Sequence, residues 1–176
     1  MTEIRPGQLL VASPLLEDPN FRRTVILICM HSPDGGTIGV ILNRSLKIPV
    51  VDRLVASPAV FFDGGPVEPN LVRALARGAS EPLSIEIEPG FGLVNLETDG
   101  RILPSGVEEF RLFGGYAGWG IDQLESELGD GVWYIVDAFP EDAFAADPDT
   151  LWREVLRRQS GELGMLAYYP ERIELN

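Results

Sequence analysis

The amino-acid sequence predicts an α+β fold, and three observations support this prediction. Short apolar runs rich in β-branched residues recur along the chain, which is typical of strands. Several of these runs come in pairs separated by glycine-containing turns, which indicates antiparallel hairpins. Four short segments between them have a pattern that suits helices. Because hairpins dominate, we expect mixed, mainly antiparallel sheets with a few flanking helices rather than a doubly wound parallel sheet.

The first part of the chain contains the clearest strand signals. Gly7–Ser13 predicts a short strand that Pro14 ends, and Thr24–His31 predicts a buried strand because it is almost continuously apolar. Asp34–Gly36 then supplies residues that tolerate positive φ, and Thr37–Asn43 resumes a β pattern. We therefore expect the second and third of these apolar segments to pair as an antiparallel hairpin.

The middle of the chain mixes helix and strand signals. Val50–Ala56 predicts a short helix and Ala59–Asp63 a buried strand. Pro69–Arg77 predicts a second helix because its apolar residues have helical spacing. Ser84–Glu88 and Phe91–Leu96 flank a Pro-Gly turn, so we expect them to form another hairpin.

The last part of the chain alternates strands and helices. Val107–Tyr116 and Val132–Ala138 predict strands, and Asp122–Leu128 predicts a helix with acidic residues in its early turns. Leu151–Gln159 predicts a final helix. The residues expected on its inner face are Trp152, Val155 and Leu156. Because no repeat or low-complexity linker interrupts the chain, we expect one domain over residues 1–176.

Charge and cysteine content exclude several classes of protein. The net charge is −13, and the first 77 residues carry eight Lys/Arg and seven Asp/Glu whereas the remainder carry six and twenty. An acidic surface repels phosphate backbones, so we expect no direct binding to nucleic acid. The single cysteine excludes an intrachain disulfide, and no apolar run approaches the length of a membrane span. We therefore expect a cytoplasmic protein without a membrane partner.

A glycine-rich segment with two amphipathic aromatic residues is the best candidate for a binding site. Tyr116 and Trp119 lie among four glycines just before a predicted helix, and glycine allows close approach of another group. We interpret the two rings as walls of a cleft, although packing of both rings against the sheet is an equally open interpretation. The candidate ligand-binding residues are Asn43, Arg44, Gly64, Gly65, Pro66, Gly115, Tyr116, Gly118, Trp119 and Gln123.

Cys29 and His31 offer an alternative, catalytic interpretation. They are two positions apart on a predicted strand, which places their side chains on one face. A histidine beside a cysteine can activate a thiolate nucleophile, as a thiol-based hydrolase or transferase requires. The favoured interpretation is that Cys29 fills the core while His31 ends the strand. With one Cys and one His, the usual structural zinc site cannot form, and we expect neither a metal nor a cofactor.

Ordered motifs along the chain resemble those of the YqgE/AlgH family of bacterial proteins. These motifs are Leu9–Pro14, Asp18–Arg23, Ile28–His31, Gly39–Arg44, Gly64–Val67, Gly115–Trp119, Gln123–Glu125 and Trp152–Arg153. The resemblance implies an α+β domain with several mixed sheets. It implies little about activity, because the family is largely uncharacterised and its label of transcriptional regulator lacks a recognisable DNA-binding module.

These observations together favour a non-catalytic binding or regulatory protein. Its partner is expected to be a small molecule or a protein segment, and the protein itself a monomer or weak homodimer. The thiol-based enzyme and an indirect transcriptional regulator, as the family label suggests, are the alternative hypotheses.

Overall fold

The computed structural model describes residues 3–49, 60–96 and 103–171. Ten strands and three short helices lie within these ranges. The strands are β1 (Gln8–Ala12), β2 (Val25–Ser32), β3 (Gly36–Ile41), β4 (Ser45–Pro49), β5 (Val60–Asp63), β6 (Val67–Arg77), β7 (Ile85–Glu88), β8 (Phe91–Asn95), β9 (Glu109–Trp119) and β10 (Trp133–Asp137). The helices are α1 (Gln123–Gly129), α2 (Leu151–Arg157) and α3 (Gly161–Met165).

The described strands form one sheet in which β9 is central. The order is β10–β1–β2–β3–β9–β6–β8–β7, and β5 joins β9 and carries β4. The β5–β9 pair is parallel, and the other described pairs are antiparallel. Strand β6 lies along one edge of β9, while β3 and β5 share the other. The expected α+β fold with mainly antiparallel pairing is confirmed.

Most of the predicted elements are present in the structure. The hairpins β2–β3 and β7–β8 form as expected, because their strands are adjacent in sequence and joined by short glycine-containing turns. Helices α1 and α2 occupy the predicted segments, and the residues expected on the inner face of α2 are buried. The predicted helix over Val50–Ala56 lies outside the described residues.

The helix predicted over Pro69–Arg77 is wrong, because this segment is the greater part of β6. Its buried residues Ala74, Leu75 and Ala76 are consecutive. Such a run arises because both faces of β6 are covered: Leu75 packs in one apolar cluster and Ala74 in another, so alternation of apolar and polar residues is lost. Long-range strand pairing therefore outweighs the helix propensity of leucine and alanine here.

Both faces of the sheet are covered by apolar side chains. In β1, Leu9 and Val11 pack in the first core cluster, and Leu10 and Ala12 pack in the second. The first core cluster contains Leu9, Val11, Val25, Leu27, Cys29, Val40, Leu42, Phe62, Phe113 and the inner face of α2. The second core cluster contains Ile4, Leu10, Ala12, Ile26, Ile28, Ile41, Ala117, Trp119, Leu124 and Trp133. Burial of both faces explains the continuous apolar runs in the sequence.

Candidate functional site

The two aromatic residues of the glycine-rich segment lie on opposite faces of the sheet. Tyr116 packs against the first core cluster, whereas Trp119 belongs to the second and is only 6% exposed. The two residues are three positions apart on β9, and successive side chains on a strand alternate between faces. The shared cleft that we expected from these rings is therefore not formed.

The glycines that we expected to admit a ligand instead admit the chain's own backbone. A Cβ at Gly64 would lie 2.4 Å from the carbonyl oxygen of Gly115, and a Cβ at Gly65 would lie 2.3 Å from the carbonyl carbon of Tyr116. Gly65 and Gly115 have φ of 141° and 69°, which favour glycine. We call this contact the glycine crossing; Pro66, which is exposed, follows Gly65 and immediately precedes β6.

Tyr116 is held against the sheet by its neighbours. The Arg73 guanidinium carbon lies 4.7 Å from the centre of the tyrosine ring. Gly118 leaves room for the ring, because a Cβ there would lie 3.3 Å from Tyr116 Cε2. Arg73 is fixed in turn by a 3.0 Å hydrogen bond from its Nε to Asn95 Oδ1. Tyr116 and Gly118 thus form a packed, half-exposed part of the sheet surface.

Asn43 and Arg44 hold the end of the β2–β3 hairpin. Asn43 Oδ1 accepts a 2.8 Å hydrogen bond from the Val25 N–H, and its Nδ2 donates to the Arg23 carbonyl at 2.9 Å. Arg44 Nη2 donates to the Arg22 carbonyl at 2.7 Å. The oxygen and the nitrogen of the Asn43 amide are therefore both hydrogen-bonded to backbone groups. The hydrogen bonds of Asn43 and Arg44 are made to residues 22–25 and not to Trp119.

Cys29 and His31 do not share a face, contrary to the prediction. Strand β2 has a register shift between Ile28 and Met30, as a β-bulge produces when it inserts one extra residue. Cys29 lies in the first core cluster. His31 is paired with Thr37, which in turn is paired with Trp119 of the second cluster. The bulge thus reverses the alternation that the spacing of the two residues implied.

The surroundings of the two residues do not favour thiol chemistry. Cys29 is 1% exposed, and burial raises the pKa of its thiol to about 12. A reactive cysteine needs the opposite, a partly exposed thiol with a lowered pKa. His31 Nδ1 lies 2.9 Å from Thr37 Oγ1, and its Nε2 lies 3.9 Å from Glu125 Oε1. The histidine therefore contacts α1 rather than the cysteine.

Glu127 links Trp119 to a second tryptophan that the sequence analysis did not connect with it. Its Oε2 accepts hydrogen bonds from Trp119 Nε1 at 2.9 Å and from Trp133 Nε1 at 2.7 Å. Its Oε1 accepts a 2.9 Å bond from Gln123 Nε2. The two indoles contact each other edge to face with a centroid separation of 5.8 Å, and the ring of Phe21 contacts both, at 6.3 and 5.6 Å. This carboxylate clamp fixes α1 against β9 and β10.

Beside this clamp lies an apolar cavity of about 430 Å³, which we call the β10 groove. One flank is formed by α1 and the segment before β1, and α3 contributes to the other. Residues that line the groove are Ile4, Glu125, Leu128, Gly129, Trp133, Tyr134, Ile135 and Leu163. A cavity of this size and apolar character is within the usual range of ligand-binding sites.

Strand β10 presents an open edge in this groove. It pairs with β1 on one side, and no described strand pairs with its other side. The Ser13 N–H donates to the Val132 carbonyl, so the hydrogen-bonded positions toward β1 are 132, 134 and 136. The N–H and C=O groups of Trp133 and Ile135 therefore point away from β1, and both residues line the groove.

The rim of the groove is mainly acidic. Glu125 lines the groove directly, and Asp130 and Glu162 are exposed neighbours of the lining residues Gly129 and Leu163. A single basic residue, Arg5, lies next to a lining residue within the described sequence. Such a rim attracts cationic groups and repels anionic ones. No described residues form a group of three or more metal-binding side chains, and no described helix is long and apolar enough to span a bilayer.

Comparison with protein families shows to which family the chain is related. Residues 9–164 match the family model described as AlgH-like. The chain belongs to the AlgH-like family. It is similar to a UPF0301 protein of Streptomyces coelicolor, with 44% identity over all of this chain and 98% of that protein. A UPF0301 protein of Thermobifida fusca is 42% identical, over 97% of this chain and 94% of that protein.

Two solved structures share the fold of this AlgH-like chain. The crystal structure of protein DIP2367 from Corynebacterium diphtheriae superposes with a TM-score of 0.78 and 30% identity, over 96% of this chain and 94% of that chain. The solution structure of the AlgH protein from Pseudomonas aeruginosa has a TM-score of 0.69 over 97% and 98% of the two chains. Its identity is 24%, so this second likeness concerns the fold alone.

Proposed function

We propose that this protein is a non-catalytic binding protein whose β10 groove receives a segment of another protein. One observation carries the proposal: an apolar groove of about 430 Å³ lies along a strand edge that no described strand covers. A strand edge offers backbone donors and acceptors that an apolar small molecule cannot satisfy, whereas a peptide can. The proposed site thus lies on β10, the next strand along the chain but the edge strand of the sheet, and not at the Tyr116–Trp119 pair on β9.

The surroundings of the groove support a binding role. The Glu127 clamp holds Trp133 in place, so one wall of the groove is preorganised. Glu125 and Tyr134 are the titratable side chains among the residues that line this groove, and no hydrogen bond joins these two described residues. Hydrolytic chemistry usually requires an acid–base pair within hydrogen-bonding distance. The buried, weakly acidic thiol of Cys29 gives no support to the alternative of a thiol-based enzyme.

Selection from a library of displayed random peptides of about ten residues tests the proposal. The bait is the full-length protein, and the counter-bait is Gly129→Phe. Gly129 lines the groove, and a Cβ there meets no atom within 4 Å, so a side chain can be added at this position, where the phenylalanine ring is intended to obstruct the groove. Gly129→Ala is the matched control because it changes the same position without filling the groove.

We expect peptides that bind the wild type and the Gly129→Ala variant but lose at least about tenfold in affinity for Gly129→Phe. Enrichment of peptides that bind all three proteins equally contradicts the proposal, because their site then lies elsewhere. The absence of any enriched peptide also contradicts it. Circular dichroism of the three proteins establishes that each is folded.

A further inference from the structure

We infer that the occupant of the β10 groove is an extended, basic segment that pairs with β10 as an added strand. This inference rests on the proposed function and specifies both the geometry and the chemistry of the partner. The geometry follows from the backbone of β10, and the chemistry follows from the side chains around it.

The backbone of β10 defines a short ladder. Trp133 and Ile135 are two residues apart, and both direct their N–H and C=O groups away from β1. Four backbone hydrogen bonds can therefore form with an added strand. At Asp137 the outward carbonyl is already taken, because Arg158 Nη2 donates to it at 3.2 Å. The ladder thus ends at Ile135, and an added strand of about five residues covers it.

The flanks of the groove suit alternating side chains. Leu128 lies on the side of the second core cluster, and Leu163 packs against the first, so an added strand meets an apolar contact on each face of the sheet. Successive residues of a strand point to opposite faces. An extended segment consequently directs its side chains alternately toward Leu128 and toward Leu163. Apolar side chains or the apolar stems of lysine and arginine can contact these leucines, while the charged ends reach the rim.

The charge around the groove selects the partner. Glu125, Asp130 and Glu162 are lining residues or their sequence neighbours, and Arg5 is the one cation among the described sequence neighbours. Arg158, at the end of the open edge, is already paired with Asp142. Lysine or arginine side chains at the outer positions of the added strand meet these carboxylates. A second copy of this chain suits the groove less well, because it would bring the same acidic rim against itself and carries a net charge of −13.

Two synthetic peptides test the charge of the partner. The probes are acetyl-Lys-Val-Lys-Val-Lys-Val-Lys-amide and the same peptide with glutamate in place of lysine, titrated against the full-length protein by calorimetry. We expect the lysine peptide to bind at least about tenfold more tightly, with affinity that falls as salt rises. Equal affinity, or preference for the glutamate peptide, overturns the basic character of the partner.

N-methylation of the lysine peptide tests strand addition. One variant is methylated on the valine nitrogens and the other on the lysine nitrogens. In an added strand only alternate N–H groups face β10, so one variant should lose about tenfold or more while the other keeps most of its affinity. Equal effects of the two methylation patterns overturn strand addition.

Gly129→Phe and Gly129→Ala locate the binding, as in the peptide selection. The lysine peptide should lose binding to the first variant and keep it with the second; equal binding to both overturns the inference. Sedimentation equilibrium examines the competing occupant, since a wild-type dimer that Gly129→Phe dissociates would assign the groove to a second copy. If selected peptides occupy the groove without charge or methylation preference, strand addition fails while the proposed function stands.

Discussion

The glycine crossing and the β10 groove differ in the surroundings of their backbone groups: another backbone segment at the crossing, and a cavity at the groove. At the crossing, the segment between β5 and β6 approaches β9 so closely that a Cβ on Gly65 would lie 2.3 Å from the backbone of Tyr116. At the groove, the outward backbone groups of Trp133 and Ile135 face a cavity of about 430 Å³. The glycine-rich segment therefore marks a place where two backbone segments of this chain contact each other. The backbone edge that stays open to a partner lies on β10, which contains no glycine.

Gly65→Ala is the strongest test of the crossing. The added methyl group would overlap the backbone at Tyr116, and φ at this position is 141°. We expect the free energy of unfolding to fall by about 3 kcal/mol or more, with a fall in Tm of roughly 10 °C. Urea and thermal unfolding followed by circular dichroism measure both quantities. Unchanged stability would mean that the two backbone segments do not meet closely.

Glu127→Ala tests the clamp that holds Trp133 in the wall of the groove. The substitution leaves the indole N–H groups of Trp119 and Trp133 without their shared acceptor, so we expect a loss of about 2 kcal/mol in the free energy of unfolding. Glu127→Gln is the control. Both indoles bond to one oxygen, which an amide carbonyl can replace, so this variant should stay much closer to the wild type in urea unfolding. Equal losses in the two variants would contradict the clamp.

Cys29 provides a pH-dependent test of burial in the first core cluster. Burial raises its pKa from 9.0 to about 12, so the unfolded thiol ionises before the folded thiol does. The free energy of unfolding therefore falls as pH rises from about 9 to about 12, by up to about 1.4 kcal/mol per pH unit from this group. Cys29→Ala should remove this part of the slope in urea unfolding at a series of pH values.

Labelling gives a second measurement on the same thiol. Iodoacetamide at neutral pH should leave native Cys29 unmodified and modify it fully in urea, with mass spectrometry as the readout. Rapid labelling of the folded protein would contradict burial of Cys29 and would support the hypothesis of a reactive cysteine.

Gly129→Ala is the smallest of the expected effects and has the opposite sign to Gly65→Ala. Gly129 ends α1 with no atom within 4 Å of an added Cβ. Alanine in a helix costs less conformational entropy than glycine, so the free energy of unfolding should rise by up to about 1 kcal/mol. A measurable loss of stability in urea would mean that the groove is closed at this point.

Local signals in the sequence were sufficient for most of the fold. The hairpins β2–β3 and β7–β8 were predicted because each joins neighbouring apolar runs through a short turn. Strand β6 was mistaken for a helix because β8 and β9, which pair with its two edges, come later in the chain. In addition, side chains on both of its faces, such as Leu75 and Ala74, are buried. Local propensity carries no information about those partners.

The candidate site was harder to predict for the same reason. Cys29 and His31 have the spacing of residues on one face, but the bulge in β2 separates them, and nothing in the residue spacing indicates a bulge. The openness of β10 depends on its pairing with β1, at the other end of the chain. For Glu127, the sequence contains one indication of a contact, its i, i+4 spacing from Gln123 on a predicted helix. Its hydrogen bonds to both indoles depend on the tertiary fold.

The Glu127 clamp has a spectroscopic consequence. Trp133 is one of three tryptophans in the chain; the residue lines the groove, and its buried indole donates to the carboxylate. Indole emission depends on the polarity and hydrogen bonding around the ring, so a guest that displaces water beside Trp133 should shift the intrinsic fluorescence of the protein. Occupancy can consequently be followed without an attached dye, and a Trp133→Phe variant identifies the part of the signal that arises there.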